Sequence, residues 1–274
     1  MSGTEAPVEA ELPSSQLPEP APLLALGTHR FLARFAFIYG SLGLVLAGAV
    51  AGVVIVALQP GRPKPPPWSS WRPTTSNESK AVQEIYDHVS QAYRMNAAGS
   101  PLVQVLPSTP EVTRNTKVTS VSTIAIRTTP QAQTFSRIFT TGNAYQEQFC
   151  GLGDYCSIKG GTPSNTRARL VRREALEIAL YTFKYVPQIS SLIAYMPPPP
   201  GQVPSTLLLL ERSDFSKELS EPIAKTLPLA TPPLPAAPDK AEAARIDKLT
   251  LPLQYTFQYE TITGGTIALI LAAA

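Results

Sequence analysis

The sequence predicts an α+β protein: one N-terminal transmembrane helix, then a mixed extracytoplasmic domain in which a central helix packs on a mainly antiparallel sheet. Three observations lead there. From Phe35 to Leu58 the chain carries no charged side chain. Between Arg167 and Val186 a broad apolar stripe repeats at helical spacing. Around that stripe, and mostly after it, short runs rich in Val, Ile, Thr and Leu are set off by Gly and Pro, the pattern of strands and turns.

These signals divide the chain into a disordered tail over residues 1–30, a transmembrane helix over 31–59, a proline-rich stalk over 60–75 and the α+β domain over 76–274. The tail is rich in Pro, Glu, Ala and Ser and holds too few clustered apolar residues to offset the entropy of ordering. The uncharged run that follows reaches about 36 Å as a helix, against a hydrocarbon core of about 30 Å. A cleaved signal peptide is the alternative, but its apolar core is shorter and lies nearer the N-terminus. A buried core helix is disfavoured because it rarely stays uncharged on every face over such a length.

Orientation is not set by charge alone, since Arg30 and Arg34 before the span face Arg62 and Lys64 after it. A large domain is translocated largely regardless of its charge, and both cysteines lie beyond the span. The expectation is therefore a single-pass protein of the cell membrane, its N-terminus cytoplasmic and its main domain outside. Within the span, Gly48 and Gly52 form a small-residue step through which two helices can approach and a homo-oligomer form. Gly and Ala are also simply common in membrane helices.

After the span, the dense prolines of 60–75 favour an extended polyproline conformation. Trp68 and Trp71 suit either the headgroup level or the domain surface. Ser76-Asn77-Glu78-Ser79 offers capping side chains ahead of Val82, Ile85, Val89 and Tyr93, which predicts a helix from about Ser79 to Met95. Lys117 to Arg127 alternates like a strand, with Val103 to Leu106 a shorter extended candidate. Ile189 to Met196 and Val203 to Leu210 flank a Pro-Pro-Pro-Pro-Gly turn. Leu253 to Tyr259 pairs with Thr266 to Leu271 across Gly264-Gly265. Residues 222–238 are punctuated by prolines and predict a surface loop, followed by a helix over Lys240 to Lys248.

The most specific segment is Cys150-Gly-Leu-Gly-Asp-Tyr-Cys156, which leads through Lys159-Gly160-Gly161 into the central helix. Thr162 is the expected N-cap and Pro163 the first helical residue. The two cysteines admit a local disulfide, free thiols or half a metal site. The disulfide is preferred outside the cytoplasm, with Gly151 and Gly153 easing so tight a loop. No metal is expected, because a structural zinc needs four ligands and the chain has only two histidines. No cofactor is expected either, since neither glycine pattern meets a nucleotide-binding motif.

Lys159, Arg167, Arg169, Arg172 and Arg173 crowd the opening turns of that helix, where its dipole disfavours cations. An ion-paired face involving Glu174 and Glu177 explains them structurally. A bound anion, held by backbone N–H groups and guanidinium forks, explains them functionally.

The net charge of +3 falls short of a nucleic-acid footprint. Beyond the span His88 is the sole histidine, and no nucleophile elbow or His-Glu-x-x-His run is present. Asp154, Glu174, Glu177, Glu211 and Asp214 remain as carboxylates whose separation the sequence does not give. The expected function is an anchored binding or scaffolding module, more readily than an enzyme, with the lipid bilayer and an anionic envelope component or a protein as partners. A sensory ectodomain signalling through helix association and a membrane-tethered hydrolase are the alternatives.

Overall fold

A computed structural model describes residues 28–58, 66–114, 116–262 and 265–274, in two compact units that meet in sequence at Lys64 and Pro65. The first unit contains helix α1 (Thr28–Leu58), which begins just ahead of the expected boundary. Its segment Phe35–Val54 has a mean hydropathy of 2.1 and no buried residue. Ser41, within that segment, donates its hydroxyl to the Ile38 carbonyl and so keeps its polar group satisfied inside the helix. No neighbouring atom lies within 4 Å of where a Cβ would stand on Gly48 or Gly52. By length and composition α1 suits a membrane anchor and also a signal sequence. The tail expected over 1–30 lies outside the described residues up to residue 27, as do residue 59 of the expected span and residues 60–65 of the expected stalk.

The second unit is built on nine strands: β1 (Gln104–Ser108), β2 (Glu111–Arg114), β3 (Lys117–Arg127), β4 (Phe135–Thr140), β5 (Ala144–Cys150), β6 (Ser191–Tyr195), β7 (Thr206–Glu211), β8 (Gln254–Thr261) and β9 (Ile267–Ala273). They lie in the order β1-β5-β6-β7-β8-β9-β3-β2, with β4 also paired to β3. Only Thr109 and Pro110 connect β1 to β2, which sit on opposite edges. That short link draws the edges together, and the sheet is nearly closed into a barrel. The sheet is mixed. The β5–β6 and β3–β9 pairs are parallel and the other pairs antiparallel.

Period-two alternation sorts the apolar side chains into two cores. Leu192 and Ala194 of β6, and Leu208 and Leu210 of β7, face the helices. Ile193, Tyr195, Leu207 and Leu209 point into the barrel with Ile124, Leu269 and Leu271. The Tyr259 hydroxyl meets that of Tyr195 at 2.7 Å, so this apolar interior also satisfies its polar tips.

Helix α2 (Glu78–Ser90) is capped by Asn77, whose side chain accepts from the Lys80 N–H. It stops short of the expected Met95 because the chain turns, with the Ala92 and Tyr93 N–H groups bonding back to Val89 and Ser90. Helix α3 (Asn165–Tyr185) is the expected central helix and bridges the parallel strands β5 and β6. It starts at Asn165, with Ser164 as the cap in place of Thr162, so Pro163 lies ahead of the helix. The short α4 (Ser216–Ser220) follows β7, and α5 (Lys240–Thr250) is capped by Asp239.

Residues 66–75, expected as part of a stalk, lie on this domain. The Trp68 indole donates to the Glu218 carbonyl at 3.1 Å, and the Trp68 carbonyl accepts from the Ile223 N–H at 2.8 Å. Ser69 meets the Tyr181 hydroxyl at 2.7 Å, and Trp71 stacks on His88 with centroids 4.0 Å apart. The two indoles and these hydrogen bonds seat on the domain a segment for which proline content alone favours a solvated extended conformation.

Candidate functional site

β5 ends at Cys150, which is disulfide-bonded to Cys156. The loop between them folds back on itself. The Gly151 N–H donates to the Cys156 carbonyl, and the Gly153 N–H to that of Ser157, both at 2.8 Å. Lys159 returns its N–H to the Gly151 carbonyl at 2.9 Å. A Cβ on Gly151 would stand 2.7 Å from the Ser157 carbonyl oxygen, so glycine is required there. Leu152, Tyr155 and Cys156 hold φ of 68°, 54° and 59°, a conformation that costs L-residues of order 1 kcal/mol or more each. The disulfide and these ladder bonds hold the loop in that shape. Beyond it the Ile158 N–H bonds the Pro198 carbonyl, which ties the loop to the proline-rich connection between β6 and β7.

Gly161, at φ +75°, turns the chain toward Pro163 and Ser164. The Ser164 hydroxyl accepts from the Arg167 N–H at 3.2 Å and starts α3. The five cations named by sequence then divide sharply. Arg173, 1% exposed, reaches Glu177 at 3.0 Å and Glu242 at 2.9 Å, and also bonds the Tyr93 hydroxyl and the Leu229 carbonyl. Arg169 and Arg172 share Asp247 of α5, and Arg172 also donates to Thr250. The hydrogen bond from Arg169 is the first cause holding the Asp247 carboxyl below the usual range. Glu174, expected within this ion-paired face, is elsewhere: it is buried, and burial pushes its carboxyl up to about 8.

Arg167 and Lys159 have no carboxylate within ion-pair distance among the described residues. Arg167 is 4% exposed; its Nη1 donates to the Gly160 carbonyl, and its Nε has no partner. Burial lowers the pKa of this guanidinium, the direction expected for a cation removed from water without a counter-charge.

Arg167 lines two clefts. One, of about 200 Å³, is formed largely by Ile158, Val171, Met196, Pro197 and Pro199, with Arg172 as its second cation. The other, of about 380 Å³, contains Lys159, Gly160, Gly161, Asn96 and Ser100. No Asp or Glu lines either cleft. Arg167 thus joins a cleft that holds Lys159 to one that holds Arg172, which like Arg169 and Arg173 is ion-paired within the domain. Sequence reading missed the walls: Met196, Pro197, Pro199, Thr206 and Gln254 come from distant segments with no local signal.

The remaining carboxylates do not converge there. Glu211 makes a two-point ion pair with Arg137 at 2.6 and 2.7 Å, and the Glu177 carboxylate accepts from Tyr93 at 2.6 Å. Glu147 is fully buried, accepts from Tyr86 at 2.6 Å and is held well above its ordinary pKa by burial. Among the described residues no group of three or more His, Cys, Asp or Glu is placed to hold a metal ion. No protein-family model, curated protein or solved structure matches this chain.

Proposed function

We propose that this chain is a single-pass, membrane-anchored envelope protein, its N-terminus cytoplasmic, whose α+β domain lies outside and acts as a binding module for an anionic group. One observation carries the reading: among the described residues the buried Arg167 has no carboxylate partner, and the two clefts it lines hold no acid. Removing a guanidinium from water costs several kcal/mol, which an oxyanion arriving in the cleft offsets through charge-assisted hydrogen bonds. Lys159 and Arg172 add positive potential on either side. The apolar α1 and the disulfide support the anchored, extracytoplasmic placement.

Two measurements on the full chain test the reading. Labelling of intact cells with a membrane-impermeant thiol reagent is expected only after reduction; labelling that needs lysis overturns the orientation. In lipid nanodiscs, inorganic phosphate is expected to raise the unfolding temperature of the wild type and not of Arg167→Gln. An equal rise in both removes Arg167 as the site.

A further inference from the structure

The two clefts beside Arg167 differ in chemistry. The Lys159 side sets a second cation, Asn96 and Ser100 beside glycines and the apolar Met95, Pro101, Leu102 and Leu152, so polar and apolar groups share it. The Met196 side offers Ile158, Val171, Met196 and two prolines, with Thr206 and Gln254 as uncharged polar groups. A bare inorganic oxyanion held at Arg167 would leave those apolar walls facing water, which forfeits the most favourable term available to a ligand there. A neutral apolar molecule would leave the buried guanidinium unpaired. At about 200 Å³ the apolar side is smaller than pockets for drug-sized ligands, which begin near 300 Å³.

Resting on the anion-binding reading above, we infer that the ligand is a small amphiphilic oxyanion: a carboxylate or phosphate monoester at Arg167 with a short apolar body against Val171 and Met196. The charge recognises the headgroup, and the Pro197–Pro199 wall limits the length of the tail. Each methylene taken from water is worth about 0.8 kcal/mol, or about fourfold in affinity.

The test is calorimetric titration of the full chain in lipid nanodiscs with inorganic phosphate, hexyl phosphate, hexanoate and hexanol, empty nanodiscs correcting for partition. Hexyl phosphate and hexanoate are expected to bind at least about tenfold more tightly than inorganic phosphate, as burial of two methylenes requires, and than hexanol, which leaves the guanidinium unpaired. The tighter of the two identifies the headgroup. Ala168 is exposed and lines the apolar side. Ala168→Phe is therefore expected to reduce hexyl phosphate to the affinity of inorganic phosphate, leaving inorganic phosphate unchanged. Arg167→Gln is expected to abolish both. If hexyl phosphate binds no better than inorganic phosphate, or ignores Ala168→Phe, the amphiphile inference fails and the anion site stands. If no oxyanion binds, both fail.

Discussion

Arg173 and Arg167 lie fewer than two turns apart on α3, both out of water, and they are treated in opposite ways. Arg173 has two carboxylates, a phenol and a carbonyl around it, contributed by α3, α5 and the segments carrying Tyr93 and Leu229. Arg167 has one carbonyl and a cleft on either side. The first arrangement fixes elements to one another, because every partner is internal. The second leaves the countercharge to be supplied from outside. A buried charge is thus read by what surrounds it, and only the unbalanced one points to a ligand.

The largest effect expected from this contrast is in stability. Arg173→Leu strands Glu242 and Glu177 in the interior and is expected to cost about 3–5 kcal/mol in denaturant unfolding of the full chain. Arg167→Leu removes an unpaired buried cation and is expected to be near neutral or stabilising in the same measurement. If the two cost the same, the contrast between them is broken. Replacing Arg173 and Glu242 together by Met and Leu is expected to recover part of the loss, since apolar side chains need no countercharge.

Next comes Glu174, on the same helix and without a cation bonded to it. Its carboxyl titrates near 8 in the folded state and near the ordinary 4.5 when unfolded, with burial as the main cause. Between those values the native state keeps a proton that the unfolded state has lost, so stability is greatest below about pH 4.5 and falls as pH rises through 8. The loss between pH 4.5 and 7 is on the order of 3 kcal/mol. Glu174→Gln is expected to flatten this slope and to stabilise the protein at pH 7, measured as unfolding free energy against pH. An unchanged slope would show that Glu174 does not hold the proton.

Removing the disulfide by Cys150→Ser and Cys156→Ser is expected to cost about 2 kcal/mol, the loop being short. It is also expected to weaken anion binding, because Gly160, whose carbonyl accepts from Arg167, follows Lys159, which is bonded back to the bridged loop at Gly151. A stability loss with unaltered binding would separate the loop from the site.

How much of this was legible in the sequence depends on the range of the interactions. Helices α2, α3 and α5 announce themselves through periodicity and capping, and β3, β6, β7, β8 and β9 through runs of apolar and β-branched residues bounded by turns. β5, Ala-Tyr-Gln-Glu-Gln-Phe-Cys, does not. Its helix-facing row includes Glu147, whose burial is made tolerable by the Tyr86 hydroxyl sixty-one residues earlier. β4 is mostly exposed and takes its place by pairing with β3 rather than by apolar content. The cations at the start of α3 were visible as an excess that a helix N-terminus disfavours. Which of them is free was not, because Asp247 lies 78 and 75 residues from its two arginines and Glu242 lies 69 from Arg173. Pairing at that distance is decided by topology, which local spacing does not encode.

The smallest change in stability gives the sharpest test of the contrast. Ser164 caps α3 through its hydroxyl, and Ser164→Ala is expected to cost about 1 kcal/mol. Ser164→Asp keeps the cap, because a carboxylate oxygen accepts from the same N–H and suits the helix dipole; its stability is expected to be at least that of wild type. Ser164 also lines the apolar cleft beside Arg167. The new carboxylate therefore introduces an acid where the protein has none and gives Arg167 the kind of internal partner that Arg173 already possesses. Phosphate affinity is expected to fall about tenfold, the effect of roughly 1.4 kcal/mol of lost attraction, while the melting temperature holds or rises. Unaltered phosphate binding in Ser164→Asp would mean that the anion is recognised elsewhere on the domain.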